Sequence, residues 1–148
     1  MAQVKVVETI NASIDRVWAQ LGNFAGIEAG PGIESVDYNG EGVGMTRAIH
    51  LANGTVVERL EQHDSVTKSF TYAIINDDAP LPFANYSATV QLRSDDKDST
   101  TVEWTGSFDP KGVEEEKAVK IATGIYTNAI NGARQALDTG ASSGQEPG

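Results

Sequence analysis

Cysteine is absent from the 148 residues. That absence removes disulfides, thiolate nucleophiles and cysteine-ligated zinc or iron–sulfur sites together. Positive charge is also scarce: 11 Lys and Arg stand against 21 Asp and Glu, for a formal charge of −10. The clustered cations that nucleic-acid phosphates require are therefore missing, and an anionic membrane surface is disfavoured on the same ground. Only two histidines occur. His50 alternates to the opposite face from Arg47 and His63 falls at a strand end, so no metal site is expected. Asp95, Asp96 and Asp98 imitate part of a calcium loop but lack its glycine and distal glutamate. Gly40 to Gly44 is glycine-rich, yet it precedes a strand rather than a helix and carries Glu41, which would repel phosphate. Nowhere do 18 apolar residues run together, so no membrane-spanning helix is expected. The stretch Met1 to Val7 lacks the long apolar run of a signal peptide. These gaps predict a cytoplasmic protein with no metal, no cofactor, no nucleic-acid partner and no membrane insertion.

What is present is ordinary globular composition, 39% hydrophobic and 22% charged, at a length that suits one domain with a core and a cavity. Gln3 to Ile10 reads as a strand. Asn11 or Ser13 caps a short helix that carries Asp15 in its first turn and Val17, Trp18 and Leu21 on one face, and Gly22 ends it. One further short helix is allowed before Gly30-Pro31-Gly32. Period-two patterning then predicts strands over Ile33–Tyr38, Met45–Leu51, Thr55–Gln62, Lys68–Ile75, Asn85–Arg93 and Thr100–Phe108, with turn signals at Asn39-Gly40 and Asn53-Gly54. From Glu114 to about Leu137 the spacing is helical, and roughly 25 residues would span about 37 Å. Its apolar face reads Ala118, Ile121, Ala122, Ile125, Ala129, Ala133 and Ala136. Residues 1–138 form one domain on this reading, and residues 139–148 a polar, unordered tail. Seven strands can bury one face against a single helix only if the sheet curves, and the space between them is a concave apolar site for a small molecule.

Alternation selects the polar residues that point into that space. Arg47 shares its face with Met45, Ile49 and Leu51, and Glu58 with Val56 and Leu60. A buried charge needs a partner, so the two should meet across neighbouring strands. As an ion pair they could fix strand register, and as a polar patch they could orient a ligand's oxygen. Tyr86 lies with Ala88, Val90 and Leu92, and Tyr72 with Phe70 and Ile74; a buried phenol needs a partner for its hydroxyl. Asn85, where the strand begins, suits a loop cap equally well. In the last strand, apolarity alone sends Trp104 inward and Glu103 outward.

Four runs in order, Gly42–Arg47, Val57–Glu61, Leu81–Tyr86 and Val102–Trp104, resemble bacterial polyketide cyclase/dehydrase-type proteins. These belong to the START/Bet v 1-like (SRPBCC) superfamily, which includes the plant abscisic-acid receptors, and the likeness covers residues 3 to 137. The resemblance implies an α+β helix-grip fold, a curved seven-stranded antiparallel sheet around a long C-terminal helix. It implies a ligand pocket lined by Glu34, Arg47, Ile49, Glu58, Tyr72, Asn85, Tyr86, Ala88, Glu103, Ile121 and Ile125. It turns Glu103 into the pocket and Trp104 to the outer face, and we follow it there because Arg47 offers a second carboxylate a partner. Where the receptors carry a ligand-anchoring lysine this chain has Glu34, which argues against an acidic ligand. In the superfamily's lachrymatory-factor synthase an arginine and a glutamate at matching positions are catalytic. The resemblance thus leaves two functions open. One is a carrier of a small hydrophobic or aromatic, non-acidic molecule. The other is a cofactor-independent cyclase, dehydratase or lyase with Glu58 as base, Arg47 steadying negative charge and Tyr86 beside them. A third reading, an interaction module built on an exposed Trp104, predicts association into a homodimer.

Overall fold

Alternation is visible in the first strand. In β1 (Ala2–Ile10) Ala2, Val4 and Val6 are buried while Gln3, Lys5 and Val7 are exposed, as a pleat with one face on a core requires. The structure is a computed structural model that describes residues 2–24 and 32–145, with side chains as far as residue 137. Helix α1 (Ile14–Leu21) starts where Ser13 Oγ accepts the Arg16 N–H at 3.3 Å, and it closes where Gly22 donates its N–H to Trp18 O at 2.8 Å. Both ends are capped by the residues that the sequence marks for it. The second short helix allowed after Gly22 would fall mostly on residues 25–31, outside the described residues.

Six strands follow: β2 (Ser35–Asn39), β3 (Thr46–Leu51), β4 (Gly54–Asp64), β5 (Ser69–Ile74), β6 (Phe83–Asp96) and β7 (Ser99–Pro110). They form an antiparallel meander, and β1 adds to the far side of β7, giving the order β1-β7-β6-β5-β4-β3-β2. Helix α2 (Glu115–Gln145) completes a helix-grip fold. Strand β6 begins two residues before the predicted Asn85. Its register against β7 shifts between Ala84 and Ser87, and Asn85 takes φ 53°, a conformation asparagine tolerates better than most residues. This bulge lets Phe83 and Tyr86, three apart, both face inward.

Helix α2 differs from expectation in two ways. It continues past Leu137 and takes in residues 139–145 of the segment read as an unordered tail; no proline interrupts those seven. Its buried stripe is Ala118, Ala122, Tyr126, Ile130, Ala133 and Leu137, a spacing of three and four residues that is rotated from the predicted face. Ile125 is 40% exposed and Ile121 half-buried against the core, so Ile125 lies outside the sheet–helix interface that the pocket reading gave it. The stripe carries the whole Tyr126 side chain because β7 presents Gly106 opposite it. A Cβ at position 106 would collide with the Tyr126 hydroxyl and lie 2.9 Å from its Cζ.

Candidate functional site

Arg47 and Glu58 are directly opposed in the β3–β4 register. The Nε of Arg47 donates to Glu58 Oε1 at 2.7 Å, and each residue is only 8% exposed. The guanidinium has a second partner of each kind. Its Nη1 donates to the backbone oxygen of Phe24 at 3.0 Å, and its Cζ lies 3.9 Å from the centroid of the Phe24 ring. The Tyr72 ring is 5.7 Å away. Charge pairing, a charge-assisted hydrogen bond and a ring face thus offset the loss of water around one buried cation.

Next to the pair runs a chain of hydroxyls. Tyr72 of β5 and Tyr86 of β6 are joined at 3.1 Å, and Tyr86 and Tyr126 of α2 at 2.5 Å. Burial pushes all three phenols up: Tyr126 to about 12, Tyr72 and Tyr86 further. The negative charge of Glu58 adds to the rise at Tyr72 and Tyr126. The hydroxyls therefore stay protonated at neutral pH. Rings fill the space around them. Trp104 stacks on Tyr126 with centroids 5.2 Å apart, and Phe83 packs on Phe108 at 4.4 Å and on Tyr86 at 5.3 Å. The Trp104 Nε1–H is buried without a hydrogen-bond partner among the described residues.

Two cavities adjoin these groups. One, of about 350 Å³, lies between α1 and the β3–β4 pair, lined by Trp18, Ala19, Gly22, Asn23, Phe24, Gly42, Met45, Leu60 and His63. Met45 and Leu60 stand two positions from Arg47 and Glu58 on the same strand faces, and Phe24 lines the cavity while its ring lies on Arg47. The other, of about 220 Å³, is lined by Ile74, Asn76, Asp77, Phe83, Ala84, Asn85, Tyr86 and Lys111. Tyr86 is thus reached from a second side.

The structure brings Arg47, Glu58, Tyr72 and Tyr86 near one another, with Ala88 buried on the Tyr86 face and Ile49 half-buried beyond Arg47. It corrects Glu103 and Trp104. The cross-strand neighbours of Trp104 are Val6 and Val90, both buried, whereas Glu103 lies between exposed Val7 and Gln91. Glu103 consequently pairs on the outer face with Arg93 at 3.0 Å and Lys5 at 3.6 Å, and the Arg93 hydrogen bond holds its carboxyl below the usual range. Trp104 is inside, 8% exposed, so it offers no patch for the homodimer that an exposed tryptophan suggested. Glu34 is exposed, its backbone N–H bonded to His50 O, and Asn85 is exposed and bonded to Asp109 Oδ2 at 2.9 Å. Neither reaches the ion pair.

Sequence reasoning missed Phe24, Tyr126 and Gly106. Gly106 carried a usable signal, since a glycine inside a strand marks a close approach. Tyr126 sits four residues after buried Ala122 and belongs to the same stripe. Phe24 gave no sign, because its contact with Arg47 joins positions 23 apart that no periodicity links. No cluster of His, Asp and Glu among the described residues could hold a metal ion, and no described helix is long and apolar enough to cross a membrane.

A family model described as polyketide cyclase/dehydrase and lipid transport matches residues 1–138. Among solved structures the chain is similar to the XoxI protein of Bacillus cereus, with 32% identity over 92% of this chain and 95% of that one and a TM-score of 0.80. It is also similar to an uncharacterized protein of Bacillus thuringiensis, at 30% identity over 91% and 98% of the two chains and a TM-score of 0.79. A protein of Nitrosospira multiformis, 22% identical over 90% and 94% with a TM-score of 0.71, shares the fold. No curated protein matches significantly.

Proposed function

Because the chain belongs to the polyketide cyclase/dehydrase and lipid transport family, we propose that it binds a small hydrophobic or aromatic, non-acidic molecule that enters beside α1 and reaches the Arg47–Glu58 pair. One observation carries this reading. Phe24 lines an apolar cavity of about 350 Å³, and its ring lies against the guanidinium of a buried ion pair. Apolar lining with a few convergent polar groups is the ordinary make-up of a ligand site. The preference for a neutral guest follows from charge balance. Glu58 already matches Arg47, so an acid would bring an unpartnered charge into a dry site.

The test uses Nile red, a neutral fluorescent probe, displaced by a panel of neutral aromatic molecules and lipids. The native chain should bind it. Ala19 lines the cavity on the exposed side of α1, so Ala19→Trp should weaken binding about tenfold or more while leaving the unfolding midpoint nearly unchanged. Absence of binding by the native chain ends the proposal.

A second reading, a cofactor-independent cyclase, dehydratase or lyase, is favoured by the proximity of a carboxylate, a guanidinium and protonated tyrosines. Glu58 would take a proton, Arg47 would hold the developing negative charge, and Tyr86 would donate. Glu58→Gln keeps an oxygen for Arg47 and should abolish turnover of any panel member that the native protein converts. Unchanged turnover rules this reading out.

A further inference from the structure

Phe24 touches Arg47 in two ways at once, and the two are seldom supplied by one residue. Its ring covers the guanidinium face at 3.9 Å, and its own carbonyl oxygen accepts from Nη1 at 3.0 Å. A flat ring on the cation's face and an oxygen on its edge are the contacts that a planar, carbonyl-bearing molecule would make there. Phe24 also lines the outer cavity, and its ring lies 6.5 Å from the Tyr72 ring. It is therefore the only described side chain that both covers Arg47 at stacking distance and bounds that cavity. The Arg47–Glu58 bond uses Nε and involves no atom of Phe24, so it does not depend on where that ring lies.

We infer that the Phe24 ring is an internal occupant of the ligand subsite on Arg47, and that the molecule which displaces it is flat, neutral and carries a carbonyl oxygen. The inference rests on the binding function proposed above and makes it more specific. A guanidinium has five N–H groups in a planar fork. Among the described residues Nε serves Glu58 and one N–H of Nη1 serves Phe24 O, so within that set the fork keeps further donors for an incoming oxygen. The Arg47–Glu58 pair is balanced in charge, which favours a ketone, amide or ester oxygen over a carboxylate. A volume of about 350 Å³, near the lower end of the roughly 300–1,000 Å³ of ligand sites, suits a guest of two fused rings.

The bland alternative makes Phe24 a fixed wall that keeps water from the ion pair. The two differ in the sign of one effect. If the ring competes with the guest, shrinking it strengthens binding; if it is a wall, shrinking it weakens binding. The experiment compares 2-acetylnaphthalene with 2-ethylnaphthalene, nearly equal in size and shape, by titration calorimetry on the native protein and on Phe24→Leu. We expect the ketone to bind the native protein about tenfold or more tightly than the hydrocarbon, the gain typical of a hydrogen bond from a charged donor. Phe24→Leu should raise the ketone's affinity several-fold. Equal binding of the two compounds overturns the inference and leaves the binding function standing, as does a Phe24→Leu protein that binds both more weakly. If that variant does not fold, the ratio on the native protein decides. Failure of both compounds and of Nile red removes the binding function itself.

Discussion

Tyr126 reaches Tyr86 only because residue 106 has no side chain. Gly106→Ala should therefore cost about 1–3 kcal/mol or more in denaturant unfolding, as overpacking of a well-filled core does. Adding Tyr126→Phe should return part of that loss, since it removes the hydroxyl but leaves Cζ 2.9 Å from the new Cβ. The double-mutant cycle should then be clearly non-additive; additive losses would show that the two residues do not meet. At this scale simple alternation read the sequence well. It placed Arg47, Glu58, Tyr72 and Tyr86 on inner faces, and it had Trp104 and Glu103 right until the family resemblance was allowed to overrule it. The resemblance misled because the direction of a side chain is set by its own strand register, which here puts Trp104 between buried Val6 and Val90. What alternation could not supply was depth. That Phe24 lies on Arg47 is a contact between positions 23 apart, which no periodicity encodes.

Helix α1 shows how an element's cap can shape a site. Gly22 has φ −79° and ordinary helical backbone, so its lack of a side chain is not a backbone requirement. A Cβ there would sit 2.6 Å from the Trp18 ring, and Trp18 lines the outer cavity against Met45 and Leu60. Gly22→Ala should push that indole aside, shift the tryptophan emission and weaken Nile red binding severalfold. An unchanged emission spectrum with unchanged binding would show that the ring has room to yield. Element boundaries were legible wherever a residue with special backbone chemistry marked them, as Ser13 and Gly22 do for α1 and Asn53-Gly54 does for the β3–β4 turn. They were less legible where a strand is interrupted rather than ended. The bulge at Asn85 looks in sequence like a strand start, because a loop-forming asparagine and a true boundary give the same local sign. The face of α2 was misjudged for a related reason. Spacing favours a stripe made mainly of small residues, whereas a glycine on the facing strand admits a tyrosine there.

Over the whole molecule, three buried phenols tie stability to alkaline pH. Tyr126 ionises at about 12 in the folded chain against an ordinary value of 10, and Tyr72 and Tyr86 are displaced in the same direction. A raised folded value means that the unfolded chain releases these protons first. Their contribution is fully present below pH 10 and falls as pH rises from 10 through 12. The denaturant midpoint should decline over that interval, and absorbance at 295 nm should show the three phenols ionising only together with unfolding. Ionisation of more than one of the four tyrosines near pH 10 with the far-UV spectrum intact would contradict the buried chain. The curved sheet closed by one helix was legible from the order of elements, but the placement of β1 was not, since its partner is the last strand. That placement has a consequence for the chain during synthesis. Strands β2 to β7 can pair with a neighbour as soon as it is made, whereas Gln3 waits for Ser107. Most of the polypeptide must leave the ribosome before the first strand has anywhere to go. Until then its valines belong to a strand without a partner, exposed to association with other chains.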